Sequence, residues 1–446
     1  MLENGIVTDN YTYLFPVDKH LTNQDISDFI DYHINNESKM YQSKIDEYKT
    51  NAPILTKSFG ESMLDHKRLA VPFPKYLVDT LNGFFVGIPP TITTKKEQQN
   101  NELQTWINKN SVVDKINEVS KQSSIYGRSY MLVYNNEQSE TRVTVCSPTN
   151  SFMIFDDTIE RKPLAFVNYS KTKDNEIVGD IYYSNERQHF TYSGGLRITE
   201  VNTLIFQGNV PAIEFYDNEE RQGVFDNVLT LIHAINETLS AKSDDIDYFA
   251  NSYLFLKNFA LEEEEQLNIQ EQRIISTKNP SSDIDVDAKF LEKPSADDLQ
   301  ENQLDRLTNL IFQTSMIANI NDEVFGNATS GTALEYKLLS MRNLTANKER
   351  KFTQSLRWLF DVLATNIQIG EPSDFTYSFT RNLPNNTSEE ADLLKNLDGV
   401  VSDETRLSLA SFVKDPTAEI KRMFEEDKEK VKKAQENYPG ADYIDG

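Results

Sequence analysis

Apolar residues recur at helical spacing toward both ends of the chain and at alternating spacing in its middle, so the periodicity alone divides the sequence into regions. After a polar arm, Ile26, Phe29, Ile30 and His33 mark one face of a helix predicted over 25–35, and a second helix is predicted over 38–50. Pro72 and Pro74 punctuate the entry to a helix over 75–85, which the Gly-Ile-Pro-Pro stretch at 87–90 stops. Another helical region runs over 96–123. From 129 to 215 the pattern changes to β-rich runs at 130–134, 142–146 and 164–169, separated by turn clusters at 135–137 and 192–195. Short turns between neighbouring strands predict an antiparallel meander rather than βαβ units, so the class is α+β.

Helical spacing returns with Phe225, Val228, Leu229, Ile232, Ile235 and Leu239. A strand-like run at 252–257, an acidic helical piece at 261–270 and strand candidates at 273–277 and 285–291 follow, like a small cap on a stalk. Pro294 and Ser295 open the next helix, with Leu299, Leu304, Leu307, Leu310, Ile311 and Ile317 on one face. A loop at 321–331 then carries Asn321, Asp322, Glu323, Val324, Phe325, Gly326 and Asn327, with Gly331 at its end. Thr332 and Glu335 read as a capping box for a long helix bearing Leu334, Leu338, Met341, Leu344, Phe352, Leu356, Leu359 and Leu363. About 35 residues of helix span roughly 50 Å. Its polar middle, 345–351, reads as bent or solvated on all sides. The tail from 389 is helical and highly charged, suited to association with neighbouring copies or to partial mobility.

Composition narrows the functions open to such a chain. Its 446 residues suffice for two or three packed domains, and 70 acidic against 45 basic residues give a net charge of -25. The mean hydropathy of -0.55 indicates much solvated or inter-subunit polar surface. So acidic a chain disfavours tight DNA binding, without excluding a protein that DNA must slide past without sticking. The single Cys146, read as a small buried hydrophobe, excludes an intrachain disulfide and a cysteine metal cluster. The first residues lack the pattern of a secretion signal, and no apolar run approaches the ~20 residues of a membrane span. The expectation is a reducing, soluble compartment and no membrane partner.

The search for chemistry finds little. Phosphate-loop, zinc-protease and nucleophile-elbow motifs are absent, nothing implies a cofactor, and His20, His33, His66, His189 and His233 are dispersed without ligand spacing. Paired carboxylates at Asp156–Asp157 and at Asp244, Asp245 and Asp247 read as a solvated turn and a solvated helix face; they also keep a metal-dependent nuclease open as an alternative. The Glu262–Glu265 run points several ways around a helix and forms no metal site by itself. The loop has two readings. One is a plain helix–helix turn with a buried aromatic. The other is a contact loop, because Val324 and Phe325 put an apolar tip where a turn is ordinarily polar. Amides at the start of the following helix suit phosphates, while Asp322 and Glu323 oppose lasting phosphate binding.

Four passages resemble the portal proteins of tailed phages that infect Gram-positive bacteria. They are Val-Pro-Ala-Ile-Glu-Phe-Tyr-Asp-Asn-Glu-Glu-Arg-Gln-Gly at 210–223 with Asp-Ile-Asp-Tyr-Phe-Ala-Asn at 245–251; Ile-Tyr-Gly-Arg-Ser-Tyr at 125–130 with Met-Leu-Val-Tyr at 131–134; Phe-Gly-Asn-Ala-Thr-Ser-Gly-Thr-Ala-Leu-Glu-Tyr-Lys at 325–337; and, more weakly, 75–90. The resemblance covers about 50–350. It implies a portal fold with an α/β wing (1–222), a two-helix stem (223–251 and 295–320), a small α/β clip (252–294), a tunnel loop (321–331), a long wing helix and return (332–378), and an α-helical crown (379–446). It implies a non-catalytic dodecameric ring at one capsid vertex of the virion, assembled in the host cytoplasm and threaded by double-stranded DNA. The implied partners are the terminase large subunit, a head-completion or adaptor protein, and major capsid and scaffold proteins. Asn321 to Asn327 would then face the channel. A different head–tail connector protein is a further alternative.

Overall fold

Thr22 starts the first helix, α1 (Asn23–Tyr32), through a reciprocal capping box: its hydroxyl accepts the Asp25 amide, and the Asp25 carboxylate accepts the Thr22 amide. The predicted break before residue 38 is not a break. A π-helical turn, His33–Glu37, joins α1 to α2 (Ser38–Tyr48), and the Ser38 amide donates to the His33 carbonyl. This computed structural model describes residues 3–58, 66–174, 176–204, 206, 208–250, 254–257, 287–290, 297–320, 336–364, 366–367, 369–382, 387–410, 413 and 416–437. These divide into two units, one of 1–45, 75–226 and 316–446, the other of 46–74 and 227–315.

The first unit contains two larger sheets rather than one meander. Strands β1 (Ile6–Val7), β2 (Tyr13–Phe15), β6 (Ser151–Asp156), β7 (Pro163–Lys171), β8 (Ile177–Tyr182), β9 (Glu186–Tyr192) and β10 (Leu196–Thr203) form a seven-stranded sheet in that order. The amino-terminal arm, polar by sequence, contributes strands: β2 pairs in parallel with β6, Tyr13 opposite Ile154. All the other pairings in this sheet are antiparallel. The second sheet has the order β11 (Ala212–Tyr216), β4 (Arg128–Asn135), β5 (Thr141–Cys146), both pairings antiparallel.

Alternation along the strands sorts side chains into layers. Tyr13, Phe152, Ile154 and Val167 of the large sheet pack against Ile26, Phe29 and Ile30 of α1. On its other face, Met153, Phe155 and Phe166 meet Tyr130, Leu132, Cys146 and Ala212 of the small sheet. The opposite face of the small sheet, Met131, Val133, Val143, Ile213 and Phe215, enters the largest core. That core is completed by α3 (Phe73–Val86), α4 (Glu97–Lys109), α5 (Val112–Tyr126) and a long helix, which we call α8 (Leu339–Ala364). The single helical region predicted over 96–123 is two helices because Ser111 takes a left-handed backbone (φ 50) between α4 and α5. A short pair, β3 (Thr91–Thr94) with β14 (Phe375–Ser378), borders the same core.

The second unit holds α6 (Leu229–Ala250) and α7 (Asp297–Ser315), with β12 (Leu254–Lys257) antiparallel to β13 (Asp287–Phe290) between them in sequence. The acidic piece at 261–270, with Glu262–Glu265, and the strand candidate at 273–277 lie outside the described residues. Helix α7 stops at Ser315, short of Ile317, because Met316 adopts φ 61. Farther on are α9 (Thr387–Asn396), α10 (Asp403–Ser408) and the charged α11 (Pro416–Asn437). The mixed α and β class is as expected. One expectation fails: the polar middle of the long helix is not solvated on all sides, since Thr345 is 0% and Lys348 1% exposed.

Candidate functional site

The loop residues singled out by sequence, Asn321, Asp322, Glu323, Val324, Phe325, Gly326 and Asn327, lie outside the described residues, as does the capping box at Thr332 and Glu335. What the structure describes is the machinery on either side. On the entry side, Ile317 is buried and the Ile320 amide donates to the Tyr76 hydroxyl at 3.0 Å. On the exit side stands α8.

The helices α6 and α7 run antiparallel, as their cross-pairs show: Gln303 donates to Thr238 at 3.4 Å, Lys242 pairs with Glu301, and Gln300 donates to Asp245 at 3.1 Å. These contacts are polar and the apolar positions are incompletely covered. Leu299 is 71% and Ile246 61% exposed, whereas Ile232, Ile235 and Ile311 are buried. Along another face of α6, Asn236, Ser240 and Asp244 accept the amides of Val71, Leu69 and Lys67 at 2.8, 2.9 and 2.7 Å. Four helical residues rise about 6 Å and two extended residues about 6.6 Å, so every second amide of an extended strap meets every fourth helix position. His66 adds a 2.9 Å contact to Asp244. Asp244 therefore anchors a backbone rather than lining a solvated face. Burial alone would raise its carboxyl, but the Lys67 amide and His66 hold it below the usual range.

The long helix is fixed by its own buried lysine. Lys348 donates to the Ser120 carbonyl (2.9 Å), the Ser124 hydroxyl (2.6 Å) and the Asp217 carboxylate (3.0 Å), so all three ammonium protons are satisfied. Asp217 also accepts from Ser123 at 2.6 Å and Ser124 at 3.0 Å. The rings of Phe85 and Phe352 lie 5.3 and 5.2 Å from the ammonium. Desolvation lowers the Lys348 pKa and Asp217 opposes that shift. Two turns farther on, Ser355 donates to the Glu214 carbonyl at 2.7 Å. Two polar residues on the buried face of the helix, Lys348 and Ser355, thus rivet α8 to α5, to β11 and to the turn after β11.

A second buried polar cluster lies in the same unit. Arg128 donates to the carbonyls of Asn10 and Tyr11 and sits 3.5 Å from Glu214, which Arg221 grips through two nitrogens at 3.1 and 3.2 Å. Glu37 faces this cluster. Desolvation, opposed by Arg128, pushes its carboxyl up to about 7. His33 bonds the Tyr169 hydroxyl at 2.8 Å and the Pro148 carbonyl at 3.0 Å, and burial drives its pKa down to about 3.

The residues considered for catalysis do other work. Asp156 is buried and accepts from the Thr158 amide and hydroxyl and from the Lys162 amide at 3.2, 2.6 and 3.0 Å, while Asp157 accepts the Val17 amide. The solvated-turn reading of Asp156 is therefore corrected: it organises the turn from inside. Asp245 bonds Gln300. His233 meets Glu47 at 2.7 Å and His189 meets Asp180 at 2.9 Å. Cys146 is buried, and desolvation pushes its thiol up to about 12. Among the described residues, no group of three or more His, Cys, Asp or Glu is placed to hold a metal ion. No described helix is long and apolar enough to cross a membrane. Sequence reasoning missed Lys348 and the strap on α6; the four-residue spacing of Asn236, Ser240 and Asp244 was the available signal for the latter.

Most of the chain is similar to known proteins. The chain is 26% identical over 411 residues to the portal protein of Bacillus phage SPP1, covering 82% of this chain and 78% of that one. It is 20% identical over 426 residues to the portal protein of Clostridium phage phiCD119, covering 89% and 93% respectively. Among solved structures, a chain in the neck of an empty GTA particle computed with C6 symmetry aligns with a TM-score of 0.46 and 11% identity, over 76% of this chain and 90% of that one. The family model described as phage portal protein, SPP1 Gp6-like, matches residues 27–433, and the chain belongs to that family.

Proposed function

We propose that the chain assembles into a ring, a dodecamer in the virion, at one capsid vertex. There it forms the channel for packaging and ejection of double-stranded DNA. The observation that carries this reading is family membership across residues 27–433. In this reading 1–222 with 332–378 is the wing, 223–251 and 295–320 the stem, 252–294 the clip, 321–331 the tunnel loop and 379–446 the crown. The half-covered pair α6 and α7 suits a stem whose remaining apolar surface is closed by neighbouring copies. Twelve copies carry a formal charge of about -300, which favours passage of DNA over adsorption. The ring is a structural conduit and docking platform for the terminase large subunit and a head-completion or adaptor protein, set among capsid and scaffold proteins after assembly in the host cytoplasm. Packaging energy comes from the terminase.

Native mass spectrometry or electron microscopy of the purified full chain tests the ring; a monomer persisting at high concentration would overturn it. Within the ring, Asn321 to Asn327 are proposed to face the DNA, with Val324 and Phe325 at the tip. Val324→Ala with Phe325→Ala is expected to leave rings intact and reduce DNA packaging or retention. Normal packaging by that double variant removes the case for a DNA-contacting tip.

A further inference from the structure

Two buried arginines and two buried carboxyls meet beneath the turn that joins β1 to β2, and they do not pair off evenly. Glu214 is gripped by Arg221, and its Oε1 lies 3.5 Å from the Nε of Arg128. Arg128 is 2% exposed, yet its Nε completes no hydrogen bond among the described residues. Its two terminal nitrogens go to main chain, holding the carbonyls of Tyr11, at 2.8 Å, and Asn10. The second carboxyl, Glu37, is 1% exposed. Its Oε2 accepts a long 3.4 Å bond from Tyr41, and its Oε1 completes none, although the Tyr13 hydroxyl is close by. A buried cation committed to carbonyls, beside a buried acid left half-satisfied, is an arrangement with a second solution.

The turn that Arg128 holds has little else to fix it. Tyr11 takes a left-handed backbone, φ 56, which is strained for a non-glycine residue. Strand β1 pairs with β2, and β2 meets β6 over three residues. Within the turn the amides of Thr8 and Tyr11 donate to the carbonyls of Thr12 and Thr8, and the Asn10 side chain reaches the Glu219 carbonyl at 2.8 Å.

The charge of the cluster turns on one proton. Arg128 and Arg221 stay charged at any pH the fold survives. Burial raises the phenols of Tyr13, Tyr32, Tyr41, Tyr130 and Tyr169, so they keep their protons. Burial takes His33 down to about 3, so its ring is neutral. Burial would also raise Glu214, but Arg221 and Arg128 hold it below the usual range. Glu37, pushed up to about 7 by burial against the pull of Arg128, is the group that changes charge near neutrality.

We propose that Arg128 is a proton-operated latch on the β1–β2 turn: with Glu37 neutral it holds the carbonyls of Asn10 and Tyr11, and when the Glu37 proton leaves to solvent it swings to the carboxylate and releases the turn. Two arginines then face two carboxylates, and the buried charge closes to zero. Thr12, Glu214 and Arg221 also line a cavity of about 520 Å³, so the released turn reshapes one wall of it. The turn precedes the residues that the family model matches, 27–433, and the latch stands apart from the ring reading.

Hydrogen exchange of the full chain, followed by mass spectrometry from about pH 5 to 9 with intrinsic rates divided out, tests the latch. Protection in peptides covering 6–13 should fall about tenfold per pH unit up to pH 7 and level off above it, because the latched state binds a proton that the released state does not. In Glu37→Gln, which keeps a neutral group in the same place, those peptides should stay protected throughout. Peptides of β8 should exchange more slowly than the turn at every pH. Flat protection of the turn in the wild type, or a slope that survives in Glu37→Gln, overturns the latch. So does a slope confined to residues 33–41, or a single rate shared by the turn and β8, which would mean that the whole unit opens at once.

Discussion

Helices α8 and α7 carry similar apolar spacing in the sequence but are covered very differently. In α8, Phe352, Leu356, Leu359, Phe360, Val362 and Leu363 are all 0% exposed, and on the same side Thr345, Lys348 and Ser355 are enclosed with them. In α7, Leu299 is 71% exposed, and Leu304, Leu307 and Leu310 are only half-buried. Periodicity reports which face of a helix is apolar, but not whether the covering surface belongs to the same chain. One helix is finished within its unit; the other keeps apolar positions that the described residues leave open.

Substitutions in the two helices can break that contrast. The largest effect is expected at Lys348→Met, which strands Asp217 without its cation and costs about 3–5 kcal/mol in urea unfolding of the single chain. A loss under 1 kcal/mol would mean that the rivet does little. Next comes Glu37, the buried acid. Its folded pKa of about 7 lies above its ordinary value of 4.5, so its contribution is complete below pH 4.5 and is lost as pH rises through 7. Wild type should therefore lose about 3 kcal/mol, relative to Glu37→Gln, between those limits. Parallel stability–pH curves for the two proteins would contradict it.

Smaller effects belong to the second unit. Ser240→Ala removes the acceptor for the Leu69 amide and should cost about 1 kcal/mol, with faster hydrogen exchange at Leu69. Leu299→Ala should change the stability of the single chain by less than about 0.5 kcal/mol while weakening ring assembly in native mass spectra. A strong destabilisation of the isolated chain by Leu299→Ala would show that α7 is closed within its own chain and would erase the difference from α8.

The same contrast explains what could be read from sequence. Element type was legible wherever periodicity ran for ten residues or more, as in α1, α3, α6 and α8. Strands β1 and β2 were not, because two or three residues carry no period; β2 is held by the distant strand β6, and β1 only by β2. Lys348 looked solvated because its partners, Ser120, Ser124 and Asp217, are assembled only by the fold. Two adjacent aspartates at 156–157 looked like a solvated turn because spacing cannot show that one of them points inward. The candidate loop was legible only through its flanks and through the family resemblance, and it lies beyond the described residues.

The π turn at His33–Glu37 also has a bearing on chain length. A single π turn holds one more residue than the α-helical turn it replaces, and here its two ends, His33 and Glu37, are buried while Asn35 and Asn36 face water. Removing one of those asparagines would let the turn close as ordinary α-helix and bring the two buried residues to an i, i+3 spacing on the same face. Tyr41 and the rest of α2 would keep their aim. This is a place where the chain can shorten by one residue without turning either helix, and where an alignment with a relative is expected to open a gap of one.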